Sequence, residues 1–195
     1  GIRAFPAGAT VWVDTTGHKE TRPFFNLTDE FAKTSEAPLS MTREEMHERL
    51  RAALLDSVRY HMIADVPVGV FLSAGLDSST LAALAKEASN TFLHTVTLGF
   101  KEFQGTSNDE APLAELIAQH YNTFHQTRWV TKEDFQHEYQ RLMDAMDQPS
   151  TDGVNSYFVS KAAAAAGLKV AISGLGGDEL FGGYPSFQQI PRMAK

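Results

Sequence analysis

Two short stretches of this 195-residue sequence gather side chains that can hold a charged ligand. The first runs Phe71-Leu72-Ser73-Ala74-Gly75-Leu76-Asp77-Ser78-Ser79, between an apolar run and an alanine-rich one. Ser73, Ser78 and Ser79 offer hydroxyl donors, and Gly75 permits a close backbone approach. If a helix starts here, its first N–H groups point outward unpaired and its dipole favours an anion. Together these make a phosphate cradle. Asp77 is a poor neighbour for a bare phosphate, but it suits a Mg²⁺ ion that bridges phosphate oxygens. Two other readings stay open for this stretch. Ser73 and Gly75 fit part of the G-x-S-x-G nucleophile elbow, with Phe71 where the first glycine belongs. Serine and glycine also suit an ordinary strand–turn–helix. A Walker loop would need a lysine, and a dinucleotide fingerprint would need three spaced glycines.

The second stretch, Ala171 to Tyr184, reads AISGLGGDELFGGY. Ser173 and Gly174 open a turn that continues through Gly176 and Gly177 to Asp178. So many glycines imply backbone pressed against something, or several turns in succession. Leu175, Leu180 and Phe181 among them do not suit a solvent loop. Asp77 and Asp178 would then bring one carboxylate each to a shared Mg²⁺, which commonly takes one or two carboxylates plus substrate phosphates.

Elements must place these turns. Apolar runs at Val66–Leu72, Phe92–Leu98, Phe124–Val130 and Leu168–Ile172 read as buried strands. Helical patterns lie between them over Ser78–Ala88, Ala111–Tyr121, Thr131–Met146 and Val154–Ala166. Alternation of this kind predicts an α/β fold, a doubly wound parallel sheet with flanking helices. Ligands in such sheets bind beyond the carboxyl ends of strands, where both turns lie. A helix over Thr42 to Ala64 precedes the sheet. It opens on a Thr42/Glu45 capping box, and Met46, Leu50, Leu54, Val58 and Met62 form one stripe to bury. Residues 1–27 read as a β-hairpin turning at Thr16-Gly17, too small to bury a core alone. Residues 28–41 are polar and read as a linker.

Composition narrows the classes. A net charge of −7 argues against non-specific nucleic-acid binding. With no cysteine, disulfides, thiolate metal sites and cysteine nucleophiles are excluded from this chain. No apolar run reaches membrane-spanning length and no signal-peptide pattern opens the chain, so a cytoplasmic location is the expectation. The seven histidines show no metal-ligand spacing. The segment Asp147 to Tyr157 opens a helix, either capped simply by Asp152 or facing a substrate carboxylate.

VPVGVFLSAGLDSSTLAAL resembles the pyrophosphate loop of the N-type ATP pyrophosphatases, usually SGGxDSS, and ISGLGGDELFGGYPSF resembles the second signature of the asparagine synthetase group among them. TVTLGF, NDEAPLAELIAQHY and MDQPSTDGVNSYFVSKAA are similar to that family as well, and the hairpin is similar to the end of its glutaminase domain. The resemblance implies an adenine nucleotide alpha hydrolase-like fold for residues 42–195, the N-terminal part of an ATP-binding synthetase domain. It implies ATP and Mg²⁺ as cofactors, a small carboxylate substrate (aspartate in the typical member), and an acyl-adenylate that ammonia from glutamine converts to an amide. Leu72, Ser73, Gly75, Asp77, Ser78, Ser79, Leu98, Ser173 and Gly174 would surround ATP and its pyrophosphate, and Asp77 and Asp178 would hold Mg²⁺. A glutaminase domain elsewhere in a longer chain is the implied partner, no nucleic acid or membrane is, and a homodimer is allowed. The chain lacks the glutaminase cysteine and stops at Lys195, before the family's catalytic lysine, so it reads as a piece that makes no amide alone. Ala74 stands where the family pattern has glycine, and Leu175 where asparagine synthetases carry an acid. Alternatives are an amidotransferase for another carboxylate, another N-type ATP pyrophosphatase, or an inactive nucleotide-binding module.

Overall fold

The computed structural model describes residues 4–37, 40–89, 91–148, 150 and 152–193. The chain divides into two compact units, Gly1–Glu48 and Arg49–Lys195. In the first, strands β1 (Ala9–Val13) and β2 (Lys19–Pro23) pair antiparallel with Trp12 opposite Glu20. Asp14 closes their turn by accepting from the Thr16 and His18 amides, each at 2.9 Å. Residues Leu27–Glu36, expected as irregular linker, instead form a helix, α1. Asn26 caps it by accepting from the Thr28 N–H at 2.9 Å, and Lys33 pairs with Glu30 at 2.7 Å. These local contacts stabilise a helix without an apolar stripe, the feature by which a sequence reveals one. Pro38 and Leu39 of the expected linker lie outside the described residues. No described residue of this unit is buried, and Trp12 is 73% exposed.

Helix α2 (Arg43–His61) opens on the expected box: the Glu45 carboxylate accepts from the Thr42 N–H at 2.8 Å, and Thr42 Oγ1 accepts from the Glu45 N–H. Its stripe is buried only in the later half. Leu55 and Val58 enter the core and Leu54 and Met62 pack against it, whereas Met46 and Leu50 are exposed.

The second unit is built on four parallel strands, β3 (Val68–Phe71), β4 (His94–Phe100), β5 (Phe124–Val130) and β6 (Val170–Ile172), in the order β5-β4-β3-β6. Helices α3 (Leu76–Ala88), α4 (Ala111–His120), α5 (Lys132–Ala145) and α6 (Gly153–Ala165) lie between them. After β6 come α7 (Gly177–Phe181) and α8 (Pro185–Met193). Strand residues alternate between two cores, as a sheet covered on both faces requires. Val70 and Leu72 join Ala82, Ala85 and Ala114 in one; Val96 joins Ala162, Ala163 and Leu168 in the other. The chain steps from β3 outward through β4 to β5, then returns to place β6 on the opposite side of β3. That reversal puts a switch point between β3 and β6, where such sheets open a crevice at their carboxyl ends.

Candidate nucleotide site

Both turns singled out from the sequence leave the sheet at this switch point. After β3 the chain passes Leu72 and Ser73, turns at Ala74 and enters α3 with Gly75 at the N-cap. Ala74 has φ 59°, in the left-handed region, which costs a residue with a side chain roughly 1–2 kcal/mol. The turn is held by Ser78, only 7% exposed. Its hydroxyl accepts from the Ser73 N–H at 3.1 Å, lies 3.0 Å from the Ser73 hydroxyl and donates to the Gly75 carbonyl at 3.2 Å. No side chain caps α3, so its first N–H groups keep the anion-binding character of a bare helix start.

After β6, Ser173 Oγ accepts from the Leu175 N–H at 3.2 Å, Gly176 takes φ 99°, and α7 carries Asp178. The glycines here are explained by what they touch. A side chain on Gly177 would overlap the Asp77 carboxylate. A Cβ on Gly174 would come within 3.3 Å of both Asp77 Cβ and the Ser78 nitrogen. Glycine at these two positions lets the second turn close onto the first around Asp77.

The turns open on a cleft of about 940 Å³. Leu72, Ser73, Gly75, Asp77, Ser78, Leu98, Ser173, Gly174 and Asp178 all line it. Ser79 does not: it lies one residue further around α3, half-buried, and its hydroxyl donates to the Gly75 carbonyl at 2.7 Å. Asp77 and Asp178 supply hard oxygen ligands on one cleft, which fits Mg²⁺ completed by phosphate oxygens. Among the described residues, no three His, Asp or Glu side chains gather into a protein-only cage.

The lining also includes residues the sequence reading did not assign. Phe100 and Phe103 follow β4, and Asn108, Asp109 and Glu110 precede α4. Burial pushes the Glu110 carboxyl above its ordinary range. The segment that begins at Asn108 resembles the family without a role for these side chains, and Asp109 also supports the start of α4 by accepting from the Ala111 N–H at 3.1 Å. Asn155 and Val159 line the cleft from α6. The Asp152 side chain makes no capping bond there, so the simple-cap reading of that segment is not realised; Pro149 and Thr151 lie outside the described residues. His125 sits away from the cleft, between Thr95 (2.9 Å) and Thr127 (3.3 Å), where burial lowers its pKa.

A buried brace sets α6. Glu138 of α5, 7% exposed, accepts from Lys161 Nζ at 2.7 Å and from the Tyr157 hydroxyl at 2.6 Å. Lys161 first, and Tyr157 next, hold its carboxyl down at about 2. Both partners are on α6, the helix that brings Asn155 and Val159 to the cleft.

Comparison with known proteins agrees with the signatures. The family model for asparagine synthase matches residues 49–195. The glutamine-hydrolysing asparagine synthetase 1 of Bacillus subtilis is 35% identical over 161 residues, which are 82% of this chain and 25% of that protein. Asparagine synthetase B of Escherichia coli is 30% identical over 210 residues, 97% of this chain and 35% of that one. The amidase chry2 of Gibberella zeae is 31% identical over 191 residues, 87% of this chain and 27% of that one. The chain thus spans about a quarter to a third of the length of these relatives. Among solved structures, an ammonia-dependent NAD synthetase from Campylobacter jejuni aligns with a TM-score of 0.44 at 14% identity, over 65% of this chain and 54% of that one. Among the described residues, no helix is long and apolar enough to cross a membrane.

Proposed function

The chain belongs to the asparagine synthase family, and on that premise we propose that its cleft binds ATP with Mg²⁺ and activates a carboxylate for amide synthesis. The observation that carries the reading is the closure of two glycine turns around Asp77, at adjacent strand ends, with Asp178 on the same cleft. Ser73, Gly75 and the N–H groups opening α3 receive the pyrophosphate end of ATP. Asp77 and Asp178 hold Mg²⁺, which neutralises charge on the phosphate oxygens when bound. Leu72, Leu98, Ser173 and Gly174 accept the adenosine. A substrate carboxylate oxygen attacks the α-phosphorus, the bond from that phosphorus to the α,β-bridging oxygen breaks, and pyrophosphate departs with the electron pair of that bond. Ammonia then adds to the acyl carbon, loses a proton and expels AMP. Fixed hydroxyl and amide donors lower the barrier by stabilising charge as it builds on the leaving pyrophosphate. In the longer protein, glutamine hydrolysed by a separate domain supplies the ammonia, in the cytoplasm.

Aspartate is the first candidate substrate, as in the relatives named asparagine synthetase. A second reading, another small carboxylate, is favoured by Leu175, a leucine 84% exposed that lines the cleft. Pyrophosphate release by the full-length protein, measured with aspartate and a panel of other carboxylates, separates the two. Release with aspartate best supports the first, release with another acid best supports the second, and no release with any acid removes the synthetase reading.

A further inference from the structure

The pyrophosphate turn bends at a residue that glycine would suit better. Ala74 keeps φ 59° despite its Cβ. Two features hold it there. Its half-buried methyl packs against the core cluster that contains Val70, Leu72, Ala82 and Ala85. Its neighbours on either side, Ser73 and Gly75, are both tied to the buried Ser78 hydroxyl. Glycine would reach the same φ without strain, but it would remove the methyl anchor and admit many other backbone states. We propose that Ala74 is a positioning residue: its methyl pins the left-handed turn, so that Ser73 and the N–H groups opening α3 line the cleft before nucleotide arrives. The proposal rests on the nucleotide reading of the cleft. A loop ordered in advance binds more tightly because less ordering remains to be done on binding.

The test uses the full-length protein, with hydrogen exchange of the Ser73 amide, which donates to the Ser78 hydroxyl, and titration of ATP with Mg²⁺. In the nucleotide-free wild type this amide is already protected. Ala74→Gly speeds its exchange about tenfold, leaves exchange in β4 unaltered and raises the Kd about fivefold. Ala74→Ser keeps a Cβ and shifts the Kd less than about twofold. An unprotected Ser73 amide in the free wild type would overturn the proposal, even if Ala74→Gly failed to fold. So would an Ala74→Gly protein with wild-type exchange and affinity. A wild type that binds no ATP with Mg²⁺ would remove the nucleotide reading itself, and this role with it.

Discussion

The two turns of the cleft reach similar positions by different physical means. The turn after β3 has one glycine and is held by hydroxyls: Ser78, nearly buried, binds Ser73 and Gly75 at once. The turn after β6 has one local hydroxyl bond and four glycines between Gly174 and Gly182. Two of these, Gly176 and Gly182, supply left-handed φ of 99° and 68°. Gly174 and Gly177 instead supply room, because Asp77 occupies the space a side chain would need. One turn is a scaffold fixed by bonding, and the other is fitted to it by omission of side chains. Glycine therefore does two separable jobs in one loop, one conformational and one steric.

Adjacent substitutions break that comparison most sharply. Gly177→Ala drives a methyl into the Asp77 carboxylate, so the affinity of the full-length protein for ATP with Mg²⁺ falls about tenfold or more. Gly176→Ala meets nothing within 4 Å but keeps a left-handed φ. It costs about 1–2 kcal/mol of stability by urea unfolding and leaves affinity much closer to wild type. Equal loss of affinity in both variants would dissolve the distinction.

On the other turn, Ser78→Ala removes a buried hydroxyl and with it the acceptor of the Ser73 N–H and the bond to the Gly75 carbonyl. A loss of roughly 1–3 kcal/mol by urea unfolding is expected. A loss under about 0.5 kcal/mol would show that the hydroxyls do not hold this turn.

The smallest effect concerns the brace behind the cleft. Glu138 has a carboxyl lowered from 4.5 to about 2, so its contribution to stability is present above pH 4.5 and fades as pH falls toward 2. Glu138→Gln removes this component, so the variant loses less stability than wild type across that window. Parallel stability–pH curves for the two proteins would show that the brace adds nothing.

The sequence exposed the fold because β3 and β6 are short apolar runs, as in a sheet covered on both faces, although the edge strand β5, FHQTRWV, mixes polar and apolar residues and buries only Val130. β5 fell on its expected residues, Phe124–Val130, and the others began about two residues late, after apolar residues such as Val66 and Leu168 that the strands do not include. Most of the cleft lining was legible because signature glycines and acids lie at strand ends. Ser79 was not separable from Ser78 in one dimension: both hydroxyls donate to the Gly75 carbonyl, and only the rotation of α3 brings Ser78 to the cleft and leaves Ser79 off it. Glu110 was missed as a lining residue because it comes from a helix start, whereas Asn155 lies in the Asp147–Tyr157 segment for which a substrate-facing role was one of two readings. Helix α1 was missed because its contacts are caps and ion pairs on an unburied helix. Met46 and Leu50 continue the stripe of Val58 perfectly by spacing, yet the core reaches α2 only from Leu54 onward.

The central claim is that Asp77 and Asp178, one from each turn, hold a single Mg²⁺–ATP complex. Calorimetric titration of the full-length protein with ATP, with and without Mg²⁺, tests it in wild type, Asp77→Ala and Asp178→Ala. The account predicts Mg²⁺-dependent binding in wild type and a loss of about tenfold or more in each variant. Binding that is equally tight in all three proteins, or indifferent to Mg²⁺, would contradict it.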